Sequence, residues 1–218
     1  MNRIFIAVLM TVLVTVFAFS QNGVIRELSG NVELKHAGSQ DFVPASIGAS
    51  VSSNTIVSTS FRSMAVIEIG SSKITVSPLT RLTLSEIQTS ANTENVNLNL
   101  QAGRVRVEVN PPAGTRANFN VQSPNASASV RGTSFEMDTN NIYVDKGRVL
   151  YNGTGGIAVM VDGGNSSFTN VNGVPADPVD VAESSLIPPM PVGAANLSRN
   201  RQGSQSSQDT LINSAPQW

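Results

Sequence analysis

The chain has 218 residues, no cysteine, one histidine and a formal charge of −1, with only 13% of its residues charged. Acidic and basic residues are nearly balanced and spread without long runs, which removes the electrostatic case for nucleic acid or an anionic membrane as partner. Without cysteine there is neither a disulfide framework nor a lipid-modified cysteine anchor, and a lone histidine without ligand partners cannot build a zinc site.

The first twenty residues read as an export signal. Arg3 supplies a short positive region, and Ile4 to Phe19 is an apolar run interrupted by Thr11 and Thr15. That run is shorter than the roughly 20 residues needed to span a bilayer. Ala18-Phe19-Ser20 offers small residues where a signal peptidase reads, so cleavage is expected before Gln21. The exported body then covers residues 21–174, with no membrane span after cleavage.

Within the body, apolar and polar residues alternate at period two, the mark of strands with one buried and one wet face. Gly23 to Lys35 reads as two strand pieces kinked around Gly30, and Met64 to Ile69 places Ala65, Ile67 and Ile69 on one face. Gly70-Ser71-Ser72 turns into Ile74 to Val76, and Leu82, Leu84 and Ile87 mark the next strand. Val96, Leu98 and Leu100 face opposite to Asn97 and Asn99; Val105, Val107 and Val109 face opposite to Arg104, Arg106 and Glu108. Pro111-Pro112 ends that strand because proline cannot donate to a ladder. Phe119 and Val121 open another, followed by Val130 to Met137, Ile142 to Val144, Val149 to Tyr151 and, between Gly-rich turns, Ile157 to Val161. No helical period follows the signal. The fold class is therefore all-β, either a twisted β-sandwich or a short solenoid-like β-roll.

Gly30-Asn31-Val32, Gly103-Arg104-Val105 and Gly147-Arg148-Val149 repeat one arrangement, a glycine opening a strand, at unequal separations. Glycine suits a corner because it tolerates positive φ. In Arg131-Gly132-Thr133, Gly132 inside a strand pattern marks a bulge or a close backbone approach. Thr133 suits a strand, and Arg131 has five donors with which to tie neighbouring strands, Glu136 and Asp138 being candidate partners. The motif reads as a structural staple. From Pro175 the composition turns to Pro, Ser, Asn, Gln and Gly, and residues 175–218 are expected to form a disordered tail.

Taken together, these pieces resemble the FecR-type domain, named after the periplasmic part of the ferric-citrate signal transducer. The resemblance runs from about Gly30 to Tyr151 and is carried by "GSSKITVSPLTRLTL", "LQAGRVRVEV", "FNVQSPNASASVRGTSFEM" and "VDKGRVLY" in that order. It implies an exported all-β domain that, in its namesakes, passes a signal from an outer-membrane receptor to a cytoplasmic sigma-factor-binding segment. Only Met1, Asn2 and Arg3 precede the apolar run here, so the chain is expected to be the domain exported alone, periplasmic or extracellular, without that segment.

Catalytic chemistry finds little support. His36 lies where a strand runs into a turn, no Gly-x-Ser-x-Gly elbow is present, and Glu136 and Asp138, two acids on one strand face, read as solvated side chains. Asp162-Gly163-Gly164-Asn165 has too few oxygens for calcium, which takes about 6–8. No catalytic residue, cofactor or metal is expected. Arg104, Arg106, Tyr143 and Tyr151 are the residues expected to offer contact chemistry, to another envelope protein or an envelope glycan. A glycan would call for exposed aromatics, and their scarcity favours a protein; Tyr143 and Tyr151 side by side on an open face would reverse that.

Overall fold

The computed structural model describes residues 22–90 and 92–186. The expected signal over 1–20, the proline cluster around Pro189, and Trp218 lie outside the described residues. Seventeen strands and one helix follow in order: β1 Gly23–Ser29, β2 Val32–Lys35, β3 Val43–Pro44, β4 Ser50–Val51, β5 Thr55–Thr59, β6 Met64–Ile69, β7 Ser72–Val76, β8 Arg81–Ser90, β9 Thr93–Ala102, β10 Arg104–Val109, β11 Arg116–Gln122, β12 Ala126–Arg131, β13 Ser134–Asp138, β14 Asn141–Lys146, β15 Arg148–Gly153, β16 Ala158–Asp162, β17 Ser166–Phe168 and α1 Pro178–Leu186.

The strands form two sheets. One has eight strands in the order β17-β14-β13-β10-β7-β6-β1-β4; the other has nine, β16-β15-β12-β11-β9-β8-β5-β2-β3. Both orders run through the chain almost monotonically. The polypeptide winds back and forth between the sheets while advancing from one end to the other, so the sandwich and the roll expected from the sequence are one object. Every pairing is antiparallel except β9 with β11.

The period-two pattern decides which side chains meet between the sheets. Val105, Val107 and Val109 of β10, Val96, Leu98 and Leu100 of β9, and Ala65, Ile67 and Ile69 of β6 are all buried in one core. Each fully buried valine, leucine or isoleucine side chain of this kind contributes about 1.5–3 kcal/mol. A register shift between Leu84 and Glu86 explains why Leu84 and Ile87, three apart, still share the inner face.

Four of the positive-φ glycines stand in links of one or two residues by which the chain leaves one sheet for the other: Gly30 (φ +74°), Gly103 (+85°), Gly132 (+61°) and Gly147 (+93°). Only glycine adopts such φ values cheaply. Two of these corners share a prop: the Asn31 N–H donates to Ser63 Oγ at 2.8 Å, and the Arg104 N–H donates to Thr80 Oγ1 at 2.9 Å. The expectation of one strand from Val130 to Met137 with a bulge at Gly132 is corrected here. β12 belongs to the nine-stranded sheet and β13 to the eight-stranded one, so Gly132 is a corner between layers.

The tail boundary also moves. Pro175 bridges to Thr169, Ala176 N–H donates to Phe168 O at 2.9 Å, and α1 follows. Asp177 caps that helix, its carboxylate accepting from the Val179 N–H at 2.9 Å, and Pro178 takes the first position, where its missing N–H costs nothing. All strands lie in the first of two compact units, which ends at Val181. No helix among the described residues is long and apolar enough to cross a membrane.

Candidate functional site

Alternation that fills the core also sets the two outer faces. On the eight-stranded sheet the outward positions of β10 are Arg104, Arg106 and Glu108, and those of β13 are Ser134, Glu136 and Asp138. Arg104 stands opposite Asp138 and donates to Glu136 Oε1 at 3.1 Å and to Asp138 Oδ2 at 3.3 Å. Arg106 donates to Glu108 Oε1 at 3.0 Å and to Asp145 Oδ2 of β14 at 2.9 Å. Farther along, Arg26 of β1 pairs with Glu68 of β6. Five of the six ion pairs among the described residues lie on this face, which makes it a charged lattice. Exposed pairs of this kind add little to stability, so their effect is mainly to fix the guanidinium positions.

The lattice ends in an aromatic edge. Tyr143 of β14 is 43% exposed and Phe168 of the edge strand β17 is 45% exposed. Their register partners, Ser166 for Tyr143 and Asn141 for Phe168, put both rings on the same outer face as diagonal neighbours. Between these rings and Arg104 lies an open depression of about 250 Å³, lined also by Glu136, Ser166 and Val181.

Asp138 anchors this region. Burial pushes its carboxyl upward, but the N–H groups of Asn140 and Asn141, the Asn141 amide and the Arg104 charge outweigh that and hold it below the usual carboxylate range. Glu136 and Asp138, the acid pair noted in the sequence, are thus both engaged by one guanidinium. An Asp so held is a poor proton donor near neutrality.

The nine-stranded sheet is different. Its outer face carries Asn95, Asn97 and Asn99 of β9 in parallel register with Asn118, Asn120 and Gln122 of β11. Ser127, Ser129 and Arg131 of β12 continue the rows. Amides bond across strands: Asn118 Nδ2 donates to Asn95 Oδ1 at 2.8 Å, and Asn97 Nδ2 donates to Glu86 Oε2 at 2.6 Å. The face forms a groove of about 700 Å³ that ends at the exposed apolar side chains of Leu150 and Met160.

The expected site residues separate accordingly. Arg104, Arg106 and Tyr143 come together on the eight-stranded face. Tyr151 does not: it is fully buried, its hydroxyl donating to the Asn140 carbonyl at 2.7 Å and sharing a 2.7 Å bond with Thr169 Oγ1. It is a core residue, because the inward positions of β15 include 151, and burial raises its phenol above the ordinary value. Arg131 reaches neither Glu136 nor Asp138, which lie across the corner on the other sheet; its Nε donates to Asn118 Oδ1 at 3.1 Å. Gly132 and Thr133 form the corner itself, with Thr133 buried. His36 is exposed just beyond β2, and Asp162 pairs with Arg148. Phe168 was missed in the sequence because Ser166–Phe168 is too short to show alternation.

The family model described as FecR protein matches residues 54–151, from the turn before β5 into β15. The opening Gly30-Asn31-Val32, which the sequence resemblance included, lies before the matched stretch. No curated protein matches the chain. Two crystal structures of a candidate anti-sigma factor from Parabacteroides distasonis, at 1.65 Å and 2.50 Å resolution, are similar at 15% identity and a TM-score of 0.45. The similarity covers 58% of this chain and 62% of that one, so the chain spans under two thirds of the solved structure's length.

Proposed function

We propose that the chain, which the FecR family model matches over residues 54–151, works as an exported, non-enzymatic interaction or scaffolding module of the cell envelope, and that it meets a protein partner through the outer face of the eight-stranded sheet. One observation carries this reading: two exposed aromatic rings, Tyr143 and Phe168, border a depression whose cation, Arg104, is already held by Glu136 and Asp138. Aromatic and arginine side chains are the residue types that anchor protein interfaces. An arginine fixed before contact loses less freedom on binding. The regulatory character of FecR domains supports a role in signalling over catalysis, as an accessory sensor or scaffold. Export rests on the sequence of residues 1–20.

The test is capture of partners from envelopes of the source cells by the wild-type protein and by the Tyr143→Ala, Phe168→Ala double variant. A protein recovered by the wild type and lost with the variant supports the reading; identical recovery by both overturns it.

A second reading has its own observation. The groove of Asn95, Asn97, Asn118 and Asn120 offers neutral donors and acceptors in register, chemistry suited to the hydroxyls and acetamides of an envelope glycan. Binding of isolated cell-wall glycan that Asn118→Leu abolishes and Tyr143→Ala leaves intact would select this face instead.

A further inference from the structure

Three connections meet at one end of the two sheets: the β6–β7 turn at Gly70-Ser71, the β8–β9 turn around Ser90 and Thr93, and the β10–β11 link through Pro111 and Pro112. The Arg116 N–H donates to Asn92 O at 2.9 Å and fastens the link to the β8–β9 turn. Together they enclose an open pocket of about 340 Å³.

At its wall stands Glu94, a carboxylate only 7% exposed on a protein of low charge. It is seated deliberately by its surroundings: a Cβ on Gly70 would lie 2.6 Å from Glu94 Oε2, so only glycine leaves room for it. Thr89, its direct cross-strand partner on β8, presents its side chain on the same face. Four buried side-chain oxygens among the described residues have no hydrogen-bond partner, and two of them line this pocket: Glu94 Oε1 and Thr89 Oγ1. A buried acceptor left unsatisfied costs about 1–3 kcal/mol, more when charged, so two in one place mark a position that something else completes.

None of the ion pairs among the described residues involves Glu94. The one cation lining the pocket is Arg116, exposed at its rim. A divalent metal finds a single carboxylate here and no cluster of three metal-ligating side chains among the described residues. A primary ammonium fits better: it carries one positive charge and three N–H donors and no acceptor, matching one carboxylate beside a hydroxyl-lined wall.

We propose that the Glu94 pocket binds a primary ammonium group presented by a partner chain, as a lysine side chain or a free α-amine, with Glu94 as counter-ion and the Thr89 hydroxyl as a further acceptor. The proposal rests on the reading of the chain as a protein-interaction module and gives that module a second contact, distinct from the Tyr143 face. Burial weakens the ionised form of Glu94 more than the Ser71 N–H strengthens it, so an entering cation relieves a standing penalty.

The test uses the full chain, isotopically labelled, titrated with Nα-acetyl-lysine N-methylamide while amide resonances are followed. Shifts confined to Ser71, Ser72, Thr89, Thr93 and Glu94, at least tenfold weaker binding in Glu94→Gln, and tighter binding in Arg116→Ala support the proposal. Glycine N-methylamide in a parallel arm separates a free α-amine from a lysine as the better source; either one binding in a Glu94-dependent way supports it. Equal shifts with the ε-acetylated probe, with potassium chloride alone, or in Glu94→Gln overturn it. Identical partner capture by the wild type and by the Tyr143 and Phe168 variant, alongside Glu94-dependent amine binding, would mark failure of the proposed function without failure of this inference.

Discussion

The glycine corners and the outer faces of this protein solve opposite problems. Corners at Gly30, Gly103, Gly132 and Gly147 do the same job with the same residue, carrying the chain from one layer to the other at positive φ. The outer faces share one period-two pattern yet carry two chemistries, a charged lattice with an aromatic edge on the eight-stranded sheet and an amide-rich groove on the nine-stranded one. What repeats is architecture; what differs between repeats is free to recognise something. Stability should therefore be lost at the corners and binding at the faces.

The sharpest division lies among the corners themselves. A Cβ on Gly103 would fall 2.2 Å from Thr80 Oγ1 and 2.5 Å from Thr80 Cα, whereas one on Gly132 would meet nothing closer than Pro111 at 3.7 Å. Gly103→Ala should cost about 3 kcal/mol or more, combining overpacking with a left-handed backbone. Gly132→Ala should cost only the backbone part, about 1–2 kcal/mol. Denaturant midpoints check this, and equal losses would break the account of the corners. The glycine in the most recognisable sequence motif is thus the one with the most room.

Tyr151→Phe comes next. It removes a buried hydroxyl that serves Asn140 and Thr169, and a loss of about 1–2 kcal/mol in chemical unfolding is expected. A neutral outcome would mean that the bonds to Asn140 and Thr169 add nothing to the fold.

Two carboxylates give pH effects of opposite sign. Asp138 is held below the usual range, so its ionised form stabilises the fold; that contribution is present above the ordinary carboxylate pKa and disappears as pH falls through the depressed one. Asp138→Asn should be less stable than wild type at neutral pH, with the gap closing in acid. Glu94 is raised by burial, so the folded state holds its proton more tightly and stability falls as pH rises from the ordinary value of 4.5 through the raised one. Glu94→Gln should exceed wild type near neutrality and match it below about pH 4. Thermal unfolding across pH checks both signs.

At the small end, Tyr143→Ala should shift stability by no more than about 0.5 kcal/mol, since the ring is half exposed and away from the core. A larger loss would mean that the aromatic edge is structural.

The core was readable from alternation alone, because a strand shows its inner face at every second residue: Val105, Val107 and Val109 need no other information. Layer assignment was not. Val130 to Met137 looks like one strand since the period barely breaks at Gly132, and nothing in the local sequence says that the next strand joins the other sheet. For the same reason Arg131 was matched with Glu136 and Asp138, close in sequence but across a corner, while Arg104, which holds both, stands more than thirty residues away. Tyr151 was misplaced because tyrosine suits either face, and only the phase of β15 with Val149 sends it inward. The Glu94 pocket was invisible because its parts come from three separate connections. The helix left a signal that composition masked: Asp177-Pro178 is a cap followed by a good first helical residue.

The central claim is that the eight-stranded face, and not the amide groove, meets a protein. A photoreactive amino acid placed at Tyr143, and in a separate protein at Asn120, then irradiated in intact cells, tests it most directly. The account predicts one defined protein adduct from position 143 and none from position 120; adducts from 120 alone would contradict it.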